Sequence, residues 1–226
     1  MTAAGARARV RAELTREIAE AARRHLATQG AAALSLRAVA RELGMASSAV
    51  YRYFPSRDDL LSALIVDAYD AIGAAAEEAE AGVDRADLRG RWRAICRAVR
   101  GWAVAHPHEY ALVYGSPVPG YAAPEATIGP AARVGELLCR VVADGVAAGV
   151  VDPAPDGAHA GISLTPGVAE SVGLPPTLAP RAVAAWSSLY GAISFEVFGS
   201  THNVVDDHEA HFDVVIERLA DLIPLP

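Results

Sequence analysis

The chain has 226 residues, 52% of them hydrophobic and 21% charged, and a formal net charge of −7. That composition belongs to a folded globular protein rather than a disordered one, and no apolar run reaches the roughly 18 residues a membrane span needs. Two cysteines, Cys96 and Cys139, are too few for a disulfide scaffold and lack metal-ligand spacing; with an N-terminus that has no secretory pattern, they lead us to expect a reduced, cytoplasmic protein.

The charge is uneven. Residues 1–65 hold ten Arg against six Asp and Glu, a balance of +4, whereas the remaining 161 hold ten against twenty-one, a balance of −11. In chain order, Val10, Leu14, Ile18, Ala22 and Leu26 recur at helical spacing and predict a helix over 8–28, closed by Gly30 in a left-handed cap. Ser35 is a candidate N-cap for "LRAVAREL", where Leu36, Val39, Ala40 and Leu43 share a face. Gly44 ends that helix, and a tight turn leads to a second short helix at 47–53, limited by Pro55. A long helix over 57–80 carries Leu60, Leu61, Leu64, Ile65, Ala68 and Ile72 on its apolar side. Further helices are expected at 87–105, 107–114, 130–149, 180–199 and 206–222, with 151–180 a long loop holding one helical turn. No segment alternates with the period of a strand. The expected fold is all-α: an N-terminal three-helix helix-turn-helix domain over 8–56, followed by a larger helical domain over 57–226.

Helix, glycine turn and helix over 35–54 form a helix-turn-helix pattern. If Val50 and Phe54 turn inward, Ser48, Tyr51 and Arg52 share the opposite face, with Ser47 and Tyr53 at its edges. Such side chains hydrogen-bond phosphates and base edges, and arginine is the strongest reader of guanine. The same face would serve equally as a solvated surface of a small helical turn.

The stretch "SLRAVARELGMASSAVYRYFPSRDDLL", residues 35–61, resembles the DNA-binding domain of the tetracycline-repressor (TetR) family of transcription regulators. Ser35, Val39-Ala40, Gly44, Tyr51, Phe54, Pro55, Ser56, Arg57, Asp58 and Leu60 carry the resemblance. It implies that Ser35 and Arg37 contact phosphate or groove edge, that Ala46, Ser47, Ser48, Tyr51, Arg52 and Tyr53 form the recognition surface, and that Arg57 holds a backbone phosphate. Family members often carry Ser-Lys-Gly or Ser-Arg-Gly where this chain has Ala46-Ser47-Ser48, which leaves Arg52 as the main charged base reader. A second stretch, "WSSLYGAISFEVFG" over 186–199, resembles the Trp-x-x-x-His-Gly helix of one TetR C-terminal domain type, with Tyr190 in the histidine position. In such proteins this helix and the last one form the dimer interface. Ala182, Val183, Trp186, Leu189, Ile193 and Val197, with Phe212, Val215, Ile216 and Leu219, suit either that interface or the core of one chain.

The resemblance also implies a double-stranded operator, a homodimer and a small-molecule effector. The candidate effector pocket comprises Trp102, His106, Tyr110, Tyr114, Tyr121, Trp186 and Tyr190, although a helix break at Pro107 with tyrosines capping the core explains the central cluster as well. Near the C-terminus, Asp207 and His211 at i, i+4 have metal-ligand spacing, but Asp206 or Asp207 is also a good helix cap. We find no nucleophile-base, phosphate-loop or zinc motif, and expect neither metal nor cofactor. A ligand-released repressor is therefore the leading expectation. Its alternatives are an all-α enzyme and a helical protein-interaction module.

Overall fold

The computed structural model describes residues 3–154, 165 and 173–226. Among these, nine α-helices and two 3₁₀ turns are present and no strand occurs. We name the helices α1 (Ala3–Gln29), α2 (Leu36–Glu42), α3 (Ser47–Val50), α4 (Arg57–Ala81), α5 (Leu88–Ala105), α6 (Pro107–Tyr114), α7 (Ile128–Ala147), α8 (Ala179–Val197) and α9 (His208–Leu222). Most of the expected loop at 151–180 lies outside the described residues. No described helix is long and apolar enough to cross a membrane. The chain divides into two compact units, Met1–Tyr69 with His106–Ile128 and Asp70–Ala105 with Gly129–Pro226, so α4 runs through both. This division does not follow the sequence boundary at 57, because α6 packs on α1 in the first unit.

The first unit is a small bundle around Ile18, Leu26, Leu36, Val39, Val50 and Phe54, joined by Leu60, Leu61 and Leu64 from α4. Val10, expected on the apolar face of α1, is 55% exposed, because the core begins only at Ile18. Gly44, at φ 64°, closes α2: Met45 N donates to Ala40 O at 2.9 Å and Gly44 N to Arg41 O at 3.2 Å. These are the paired bonds of a Schellman cap, which only a left-handed residue such as glycine makes without strain. Ser35 sits at the N-cap of α2 in extended conformation, but its side chain makes no capping bond. Ser56 does cap: its Oγ accepts from Asp59 N at 3.1 Å and donates to Asp59 Oδ2, starting α4 right after Pro55.

In the second unit α5, α8 and α9 pack together. Leu189, Ile193, Phe212, Ile216 and Leu219, expected either at a dimer interface or in the core, are buried within this unit. The exposed large apolar residues of α8 and α9 are Trp186, Phe195, Val214 and Leu222, with Phe198 at the end of α8. Asp207 caps α9 by accepting from Ala210 N at 2.9 Å, as the capping alternative required. Deep in the unit, Arg91 is 0% exposed; its Nε donates to Glu80 Oε1 at 2.6 Å and its Nη2 lies 2.8 Å from Asp144 Oδ2, without hydrogen-bond alignment. Arg85 bridges the same two carboxylates from outside.

Arginines of α5 clamp α9: Arg93 and Arg89 hold Glu217, and Arg97 holds Asp213 with two bonds of 2.8 Å. The Arg93 guanidinium keeps Glu217, and Arg97 keeps Asp213, below the usual carboxylate range. A depressed folded pKa stabilises above the unfolded value, near 4, and that stability is lost as pH falls through the folded value. The melting temperature is therefore expected to drop below about pH 4. Asp213→Asn should flatten that drop, and calorimetry between pH 3 and 6 reads it; an unchanged slope would remove the clamp from the account. These groups are partly exposed, so solvent screening keeps the effect modest.

Candidate nucleic-acid interface and ligand cavity

In the first unit, α3 is one α-helical turn extended by tighter i, i+3 bonds. Arg52 N donates to Ala49 O at 3.2 Å, and Tyr53 N to Val50 O at 2.9 Å. The regular helix is thus shorter than the expected 47–53, since the chain tightens before Pro55. Val50 is 0% and Phe54 6% exposed, and together they anchor the turn in the core. Ala46, Ser48, Tyr51 and Arg52 are exposed as a consequence, with Ser47 and Tyr53 half-buried beside them. Arg37 is exposed and Ser35 half-buried at the start of α2.

Two arginines depart from the sequence reading. Arg57 does not reach outward: its Nε donates to Leu34 O at 3.2 Å and its Nη2 to Ala31 O and Ala32 O at 2.9 and 3.2 Å. It ties the Gly30–Leu34 loop to the start of α4, so most of its donors are used inside the domain. Arg11, which the motif did not include, comes from α1 to the turn at the end of α3. Its Nη2 donates to Arg52 O at 3.3 Å and its guanidinium lies 5.2 Å from the Tyr53 ring centre. A second cation therefore stands at the end of the turn, beside Arg52 and Tyr53. The only sequence signal for it was the arginine alternation in "GARARVRAEL".

The seven residues expected around one effector pocket divide between the two units. His106, Tyr110, Tyr114 and Tyr121 belong to the first, and Trp102, Trp186 and Tyr190 to the second. Pro107 starts α6, and Arg23 holds that helix on α1 through Glu109 at 3.0 Å. Tyr110 is consequently fully buried, 4.9 Å from Tyr114, which meets Tyr69 edge-on at 5.9 Å. Tyr121 hydrogen-bonds Ser62 at 2.9 Å. Tyr110 is thus part of the first unit's interior, with Tyr114 and Tyr121 half-buried beside it.

The second unit contains an apolar cavity of about 350 Å³ walled by α5, α7 and α8. Trp92, Leu138, Cys139, Val142, Ile223 and Trp186 contribute to its wall; of the seven expected residues, Trp186 alone lines it. Burial pushes the Cys139 thiol up to about 11, so it stays protonated and acts as apolar wall. Trp92 spends its indole N–H on Ile216 O at 2.9 Å and offers the cavity ring surface instead of a donor. Sequence alone did not find this site, because it forms only where one face of α7 and one of α8 meet Trp92, Leu174 and Ile223 from separated segments.

Comparison with known proteins agrees with this arrangement. Residues 18–64 match the family described as bacterial regulatory proteins, tetR family, and residues 92–219 match the tetracyclin repressor-like C-terminal domain. The HTH-type transcriptional regulator Rv1816 of Mycobacterium tuberculosis is 43% identical over 199 residues, 86% of this chain and 85% of that protein. The crystal structure of the putative regulatory protein SCO4313 superposes with TM-score 0.75 at 32% identity, covering 94% of this chain and 98% of that one. RolR, solved in complex with its ligand resorcinol, shares the fold at TM-score 0.54 and 16% identity, over 97% of each chain. The helix-turn-helix with its exposed turn, the all-helical body and these matches have one reading: the chain belongs to the TetR family of helix-turn-helix, DNA-binding transcription regulators.

Proposed function

We propose that the protein is a homodimeric repressor that a small effector releases from its operator. The observation that carries this reading is the exposed face of Ser48, Tyr51 and Arg52, held by Val50 and Phe54 and flanked by Arg11. Ser35, Arg37, Ala46, Ser47 and Tyr53 complete the contact surface, while Arg57 acts through the loop it ties down. Two such surfaces about 34 Å apart would enter successive major grooves of B-DNA. The exposed Trp186, Phe195, Val214 and Leu222 on α8 and α9, with Phe198 at the end of α8, supply apolar surface suited to a second copy of the chain.

Release requires an effector that binds better to the dimer's non-operator conformation, and it is limited by that difference in affinity. The 350 Å³ cavity, within the size range of small-molecule sites, supports such a role, as does the resorcinol bound by RolR. A gel-shift with the DNA upstream of the protein's own gene tests the reading, with a salt-sensitive, sequence-specific complex as the expected result. Arg52→Ala should weaken that complex by about 1–3 kcal/mol and relax base preference at one position per half-site. An unchanged binding profile would strike Arg52 from the base-reading set.

A further inference from the structure

We infer that the N-terminal turns of α1 form a second DNA-contacting surface, on which Arg7 and Arg11 grip the phosphate backbone beside the groove that α3 enters. The inference rests on the operator reading and extends it: this surface adds affinity and length of footprint, but no base preference.

α1 begins at Ala3, whereas the core it joins begins only at Ile18. Between Gly5 and Glu13 every residue except Ala6 is exposed, so these turns stand beyond the packed body of the first unit. Helix geometry decides which side chains share a direction there. At 3.6 residues per turn, Arg7, Arg11, Leu14 and Ile18 fall on one stripe about 60° wide. Ile18 is fully buried in the core that holds Val39 and Val50, so this is the stripe α1 turns toward the helix-turn-helix. Where the stripe runs past the core it changes from apolar to basic. Arg11 marks its course, lying over the Tyr53 ring and on Arg52 O at the end of the exposed turn. Arg7 follows on the same stripe, about 6 Å further along the helix. Arg9 is rotated about 160° away, on the opposite side.

The charge suits an anionic partner. Residues 1–12 hold three arginines and no carboxylate, and the first acidic residue of the sequence is Glu13. Duplex DNA presents one negative charge per about 1.7 Å of its axis, and arginines that neutralise phosphates bind it without regard to sequence. α3 is a single α-helical turn and offers little contact area of its own. Arginines on a helix that leaves the body beside it supply affinity where that turn is short of it.

Fluorescence anisotropy with the operator and with a scrambled duplex of equal length tests this. Arg7→Ala should weaken both complexes by one factor, at least about threefold, and leave their ratio unchanged. The slope of log affinity against log salt should fall by about 1 per half-site, and Arg7→Lys, which keeps the charge, should restore it. Arg52→Ala, by contrast, should lower the ratio. Arg9→Ala removes the same charge from the far side of the helix and should cost less than Arg7→Ala. Trimming the operator stepwise from both ends should weaken the wild type at a length that Arg7→Ala does not sense. Arg7 is exposed, so thermal unfolding of Arg7→Ala should match the wild type and separate a lost contact from a lost fold. The inference is overturned if Arg7→Ala leaves affinity and salt slope unchanged, if it lowers the ratio, or if Arg9→Ala costs as much. A wild-type chain that binds neither duplex sinks the operator reading and this inference together. One that prefers the operator while Arg7→Ala changes nothing sinks this inference alone.

Discussion

Replacing Phe54 by alanine is expected to destabilise the N-terminal unit by about 3–5 kcal/mol and to abolish operator binding. The ring is 6% exposed and packs in the same core as Leu36, Val39, Val50 and Leu60. Its removal deletes a large apolar contact and leaves a cavity that a short turn, pinned by Pro55, collapses into poorly. The consequence for function is geometric. α3 is a single α-helical turn, far too short to hold its shape without tertiary packing. Val50 and Phe54 are what orient Ser48, Tyr51 and Arg52. Circular dichroism under urea and a gel-shift at matched concentrations separate the two losses. Arg52→Ala should lower DNA affinity at unchanged stability, whereas Phe54→Ala should lower both. Operator affinity retained within about twofold in a folded Phe54→Ala protein would refute the anchoring role.

Arg91→Ala is expected to destabilise the C-terminal unit by about 3–5 kcal/mol, at the lower end because one partner, Asp144, is partly exposed. The loss comes from the carboxylate left behind. Glu80 is 6% exposed, and without Arg91 it keeps only the more exposed Arg85 as counter-ion. Removing both charges is a different experiment: Glu80→Leu with Arg91→Met restores an apolar interior and should cost less than the two single changes summed. Thermal unfolding of the two single variants and the double variant measures the coupling, and strict additivity would show that the pair does not act as a unit. With two compact units, unfolding should be followed by more than one probe.

Much of the fold was legible because helical periodicity and glycine or proline punctuation are local. Gly30 and Gly44 adopt the left-handed φ their positions called for, at 74° and 64°. The long helix expected at 57–80 spans Arg57–Ala81, and the helix expected at 87–105 spans Leu88–Ala105. The exposed face of the turn was legible for the same reason: burying Val50 and Phe54 exposes Ser48, Tyr51 and Arg52 by helix geometry alone.

Partnership was not legible, because it depends on which faces meet. Arg57 reads from its motif as a phosphate ligand, yet its fork closes on three carbonyls some twenty-five residues earlier. Arg11 has no distinguishing neighbours in sequence and acquires its place only when α1 brings it over Tyr53. The aromatic cluster at 102–121 has the composition of a pocket, but α6 docks on α1 and turns Tyr110 into core. Amphipathic spacing on α8 and α9 marked an apolar side of each helix. It could not say that Leu189, Ile193, Phe212 and Ile216 fill one chain while Phe195, Phe198 and Val214 remain outside. Periodicity is a property of neighbouring residues and so determined the helices, their caps and the exposed face of the turn. The cavity of the second unit and the clamp of α5 arginines on α9 are facts of packing between distant segments, and only the tertiary structure decided them.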